Sequence, residues 1–142
     1  SDFLGLPLVN AFQISETKSG RATRTLHSFY QMEDGSSLAF FEAPDMPFTF
    51  KPQHDFDLHI ALEVTQEDLQ LMFAKGKAAG IETRGISDHG FIDSIYFRDP
   101  NGYVIELTAK REGHDEIVAA ATETARQKLD EWQRTKPPVV ST

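Results

Sequence analysis

The sequence predicts an α+β fold of paired βαβββ modules in a curved, cup-like mixed sheet, the first module truncated at its N-terminus. Three observations lead there. Residues 57–64, DLHIALEV, alternate apolar and polar side chains with a period of two. The next stretch, TQEDLQLMFAKGKAAG (65–80), switches to a helical period. Three strand-like segments follow, and a similar set of three opens the chain.

In chain order, PLVNAFQI (7–14), TRTLHSFYQM (23–32) and SSLAFFEA (36–43) are rich in β-branched and aromatic residues. SETKSG and EDG supply turns between them, so three consecutive antiparallel strands are expected. PDMPFTFKPQHD (44–55) holds three prolines and no steady period, which fits an irregular connection between two halves. In 57–64 the aliphatic Leu58, Ile60, Leu62 and Val64 define a core face and put His59 on the other side, beside the small Ala61. The helix over 65–80 carries Leu69, Met72, Phe73 and Gly76 on one stripe. Thr65 and Asp68 resemble a capping box at its start, and Gly80 stops it.

IETRGI (81–86), FIDSIYFR (91–98) and GYVIELTA (102–109) complete the second module, the last two joined by the turn DPNG. Residues 114–136 form a final helix with Ile117, Val118, Ala121, Ala125, Leu129 and Trp132 in a stripe, expected to pack on the sheet or on a second subunit. PPVVST frays. The expected organisation is one domain over 1–142, with a partial first module at 3–43, a complete second module at 57–109 and the helix at 114–136.

Composition narrows the function. A chain of 142 residues, 39% apolar with eleven Phe, can bury a core. A net charge of −8 and the lack of any basic cluster argue against a nucleic-acid partner. With no Cys there is no disulfide and no thiolate ligand, so a metal would take His, Asp or Glu. No apolar run reaches membrane-span length, and Ser1 to Ser15 lacks the marks of a secretory signal, so a cytoplasmic location is expected.

Strand parity selects the candidate site. In 91–98, Ile95 and Phe97 take the core parity and leave Ser94, Tyr96 and Arg98 opposite. In 102–109, Tyr103, Ile105 and Leu107 leave Val104, Glu106 and Thr108 opposite. In one curved sheet His59, Tyr96 and Glu106 share the polar face. A Glu inside YVIELT is costly to bury unless it is paired or binds a cation. Two imidazoles and one carboxylate around a metal leave coordination positions open, an arrangement that suits Fe(II), and His59 and Glu106 are two of the three. Without a metal, His59 is a hydrogen-bonded strand residue and Glu106 pairs with Arg98 across the hairpin. His89, in SDHG, is then turn chemistry, and Tyr96 a residue of an amphipathic strand.

DLHIALEV and YFRDPNGYVIEL resemble the metal-binding first strand and the closing hairpin of the vicinal oxygen chelate superfamily. That superfamily includes glyoxalase I, the bleomycin and fosfomycin resistance proteins and the type I extradiol ring-cleaving dioxygenases. DHGFIDSIYFRDPNGYVIE is similar to the dioxygenase pattern through His89, Ile95, Tyr96, Asp99, Pro100, Gly102 and Glu106, departing from it at Ser87.

The resemblance implies an Fe(II)-dependent extradiol dioxygenase, an oxidoreductase acting with O2 on an aromatic, catechol-like vicinal diol. It makes His59 and Glu106 metal ligands, His89 an acid/base group and Tyr96 a hydrogen-bond donor to the ring oxygen. A homodimer is expected beside it, from the apolar stripe over 114–136. Mn, Zn or Ni could replace iron. The superfamily's third ligand, a His on the first strand of the first module, lies outside this sequence, and His27 and His54 are poor replacements. Phe40, Phe41 and Phe48 line a pocket or fill the core. Glu42 is the repeat counterpart of Glu106, and in glyoxalase I a first-module Glu also binds metal. The alternatives are therefore a glyoxalase-like metal-dependent isomerase or lyase, and a metal-free small-molecule-binding resistance protein.

Overall fold

The computed structural model describes residues 2–46, 49 and 54–138. Phe48, most of the Pro-rich connection and the last four residues of the PPVVST tail lie outside the described residues. Two compact units divide the chain, Ser1–Lys51 and Pro52–Thr142. The elements are α+β, as expected, and each unit builds its own sheet.

In the first unit β1 (Leu8–Glu16), β2 (Ala22–Gln31) and β3 (Ser37–Glu42) form an antiparallel meander in the order β1-β2-β3. Its register sets Phe12 opposite His27 and His27 opposite Phe41. Their rings gather on one face with Phe29, the His27 imidazole stacking on Phe41 at 3.9 Å between centroids. Phe40 and Phe41 are exposed and so are not core residues.

The second unit holds β4 (His59–Glu63), α1 (Gln66–Ala78), β5 (Thr83–Asp88), β6 (Ile92–Arg98), β7 (Val104–Lys110) and α2 (His114–Thr135). Its sheet runs β4-β7-β6-β5, with β4 parallel to β7 and the other pairs antiparallel. The strands expected at 57–64 and 102–109 are therefore neighbours. The alternation read in the sequence becomes two faces. Ile95, Phe97, Leu107 and Ala109 are buried on the side carrying α1, whose Leu69 is fully buried.

Local chemistry sets the ends of these elements. Thr65 caps α1 by accepting the Asp68 backbone N–H at 3.0 Å. The β6–β7 turn is fixed by Asp99, whose Oδ1 accepts the N–H groups of Asn101 at 2.9 Å and Tyr103 at 2.8 Å. Gly102 adopts φ +92° there, a left-handed conformation that favours glycine. This turn sets the register that places Tyr96 opposite Glu106.

Gly76 is where α1 comes closest to the sheet. A Cβ at that position would lie 2.5 Å from Phe97 Cε1 and closer still to Thr83 Oγ1. Gly76→Ala gains about 1 kcal/mol of helix propensity, but overpacking costs roughly 1 to 3 kcal/mol or more. The clash decides the sign, and a net loss of about 1 to 2 kcal/mol is expected in denaturant unfolding.

Of the two packings expected for α2, on the sheet or on a second subunit, the first is not found. The helix forms, but none of its residues is buried, and Ile117, Val118, Leu129 and Trp132 are exposed. Its stripe therefore does not pack on the sheet of the second unit. Among the described residues no helix is long and apolar enough to cross a membrane.

Candidate metal site on the polar face of the second sheet

The face of β4-β7-β6-β5 away from α1 carries His59 and Ala61 from β4, Val104, Glu106 and Thr108 from β7, Ser94, Tyr96 and Arg98 from β6, and Arg84 from β5. Register produces this grouping: Ala61 lies opposite Glu106, Glu106 opposite Tyr96, and Tyr96 opposite Arg84. The small Ala61 side chain leaves room for His59, one step along the strand, to lean toward Glu106. His59 Nε2 and Glu106 Oε2 meet at 2.7 Å, with side-chain exposures of 26% and 12%. Residues 47 positions apart in sequence are thus joined by one hydrogen bond.

Tyr96 stands edge-on to the His59 ring, 6.0 Å between centroids. Its phenol shares a hydrogen bond of 2.8 Å with His89 Nε2, from the loop between β5 and β6. Burial pushes the Tyr96 phenol above its ordinary range, and the Glu106 carboxylate adds to the effect by penalising a phenolate beside it. Tyr96 is therefore a protonated donor at neutral pH. All four residues selected from the sequence lie in one cluster: His59 with Glu106, and His89 with Tyr96.

The alternative pairing of Glu106 with Arg98 does not occur. Arg98 instead bonds Asp55 and sits 3.3 Å from Glu82 Oε2, and Arg84 bonds the other Asp55 oxygen at 2.6 Å. The two guanidiniums hold the Asp55 carboxyl below the usual carboxylate range, Arg98 contributing most. Sequence inspection missed this group because Asp55 lies in the Pro-rich connection, 43 residues from Arg98.

The donor set suits a divalent ion. One imidazole and one carboxylate meet on a half-buried face, and the hydroxyl of Thr108, two residues from Glu106 on the same face, is sealed from solvent without a hydrogen-bond partner. Among the described residues no group of three or more His, Asp or Glu side chains converges, and His59 and Glu106 meet here as a pair. Glu42 lies opposite Leu26 in the first unit, as the last residue of β3.

Residues 1–107 match the sequence profile of the Glyoxalase/Bleomycin resistance protein/Dioxygenase superfamily. The chain belongs to this superfamily. It is similar to the metallothiol transferase FosB of Bacillus licheniformis, 41% identical over 78 residues that make up 52% of this chain and 48% of the relative. The chain thus matches about half the length of that curated relative. Among solved structures it resembles the fosfomycin resistance protein FosX of Listeria monocytogenes, complexed with Mn(II) and sulfate, at 19% identity and TM-score 0.51, covering 80% of this chain and 79% of that one. A glyoxalase family protein from Bacillus cereus matches at 18% identity and TM-score 0.58, over 77% and 80% of the two chains. At these identities the structural matches speak to the fold alone.

The expectation of a ring-cleaving dioxygenase is overturned. The curated relative, 41% identical over 78 residues, is a metallothiol transferase and not a ring-cleaving enzyme. The oxidoreductase assignment, the aromatic diol and O2 fall with it. The physical reason is that the pattern from His89 to Glu106 encodes a hairpin and a ligand-bearing face. Asp99, Pro100 and Gly102 make the turn, and the spacing of Tyr96 and Glu106 follows from the register across it. Superfamily members with different reactions share that geometry, so it does not identify the substrate.

Proposed function

We propose that the superfamily fold here serves a divalent-metal-dependent enzyme of the glyoxalase-like kind, acting as a transferase or lyase on a small oxygen-bearing molecule. The observation that carries this is the His59–Glu106 pair at 2.7 Å on a half-buried polar face, in a chain that shares 41% identity over 78 residues with a metallothiol transferase. His59 Nε2 and Glu106 Oε2 would hold the ion, with further ligands from outside this unit or from the substrate. When bound, the ion supplies Lewis-acid polarisation of a substrate oxygen. The case for Fe(II) rested on oxygen chemistry, so Mn(II), Zn(II), Ni(II) and Fe(II) stand as equal candidates here.

The protein's own groups then divide the remaining work. The Tyr96 phenol, protonated at neutral pH and pushed further up by burial, donates a hydrogen bond to a substrate oxygen gaining charge. His89, bonded to that phenol at 2.8 Å, donates its ring N–H to the Tyr96 oxygen, which leaves the phenol O–H free for the substrate and makes His89 the proton reserve of the pair. A homodimer belongs to the same proposal, supported by the exposed apolar stripe of α2.

The test is turnover with each divalent ion in two assays, loss of free thiol in the presence of fosfomycin and isomerisation of a hemithioacetal. Metal-dependent turnover in either supports the proposal, and the assay that responds names the reaction. Failure of the protein to retain any of the four ions through dialysis overturns it. Within this scheme Tyr96→Phe keeps the ring and removes the donor. It is expected to lower kcat about 10-fold or more while bound metal, measured by elemental analysis, stays unchanged.

A further inference from the structure

We propose that Arg84 and Arg98 form an oxyanion-binding subsite beside the metal face, and that Asp55 occupies it as an internal stand-in for the anionic group of a substrate. Both arginines project from the polar face, Arg84 opposite Tyr96 and Arg98 opposite Val104. The Asp55 carboxylate lies between them with one oxygen on each guanidinium, Oδ2 on Arg84 Nη1 at 2.6 Å and Oδ1 on Arg98 Nη2. Two planar cations converging on the two oxygens of one carboxylate is the arrangement that selects carboxylate, phosphate or phosphonate.

The remaining contacts hold the guanidiniums in place. Arg98 Nη1 donates to the Gly102 carbonyl at 3.1 Å, and Glu82 lies 3.3 Å from Arg98 Nε and 3.5 Å from Arg84 Nε. The Arg84 guanidinium carbon stands 5.7 Å from the centroid of the Tyr96 ring, so the subsite adjoins the phenol that faces Glu106.

Unlike Arg84 and Arg98, Asp55 comes from a turn and not from the sheet. The turn is closed locally, with the Asp57 N–H donating to the His54 carbonyl at 2.9 Å and the His54 N–H to Asp57 Oδ2 at 3.0 Å. It leads directly into β4 and His59. An incoming tetrahedral dianion offers more oxygens and more charge than the carboxylate and displaces it. Asp55 then swings away with its turn while Arg84 and Arg98 keep their positions on the sheet. This deepens the proposed function by naming an anionic group on its substrate, but the subsite itself needs no metal.

The experiment is isothermal calorimetry with inorganic phosphate and, separately, methylphosphonate, on the whole chain kept metal-free with EDTA at constant ionic strength. Asp55→Asn removes the competitor and is expected to bind both anions at least 5-fold more tightly than the unaltered protein. Adding Arg98→Gln to it is expected to abolish binding. Preference for methylphosphonate points to a phosphonate substrate, and preference for phosphate to a phosphate ester or free phosphate. Unchanged or weaker affinity in Asp55→Asn, or binding that survives Arg98→Gln, overturns the proposal. If Asp55→Asn does not fold, the Arg98 Nε–H resonance of the unaltered protein decides: a saturating shift with phosphate but not chloride supports the subsite, and no shift overturns it. Because metal is excluded throughout, failure of the metal site leaves these outcomes unaffected.

Discussion

Glu106→Ala is expected to weaken divalent-ion binding at least ~100-fold, about 2.7 kcal/mol. His59→Ala should behave similarly. Each removes one of the two proposed ligand side chains that, among the described residues, meet on the polar face, and neither loss can be made good from β7 or β4. The residues next to Glu106 in β7, Ile105 and Leu107, point to the helix side, and the nearest residue on the same face in β4 is Ala61. Equilibrium dialysis with Mn(II) and Zn(II) measures the loss directly. Glu106→Gln discriminates further, because it keeps the volume and one oxygen while removing the charge a dication requires. Affinity for both ions within about 3-fold of the unaltered protein in Glu106→Ala would show that the metal sits elsewhere or nowhere.

Leu69→Ala is expected to produce the largest loss of stability, about 2 to 5 kcal/mol. Leu69 is fully buried where α1 meets the sheet, and truncation there removes apolar contact and leaves a cavity that β6 and β7 cannot fill without shifting the site face. Leu71, two residues on, is 61% exposed and provides the control. Leu71→Ala should stay within roughly 0.5 kcal/mol. Hydrogen exchange of the β6 and β7 amides reads the stability of this unit alone. Equal losses in the two variants would mean that α1 does not anchor the sheet.

The period of two over Leu58 to Val64 and the DPNG turn made the second sheet legible, because alternation and turn chemistry are local properties. They also brought His59, Tyr96 and Glu106 to one face, since parity needs only the strand boundaries. The reaction was not legible. Asp99, Pro100 and Gly102 serve the turn, so a motif that includes them carries information about the hairpin and little about the substrate. The Asp55 contacts were hidden for a different reason: salt bridges between a connection and two strands leave no periodic trace. The stripe of α2 illustrates a third limit. Its spacing announces an apolar face correctly, but periodicity does not name the surface that covers it.

The placement of β4 has a consequence for how the protein is made. The Tyr96–Glu106 half of the site lies on a hairpin closed by a four-residue turn, and such structures form within microseconds of synthesis. His59 belongs to a five-residue edge strand whose partner, β7, is separated from it by α1, β5 and β6. Closing that parallel ladder ends a large chain loop and is entropically the costly step. During translation His59 leaves the ribosome first and then waits for the last strand. The His59–Glu106 pair is therefore expected to be a late contact, completed after the β5–β6–β7 meander.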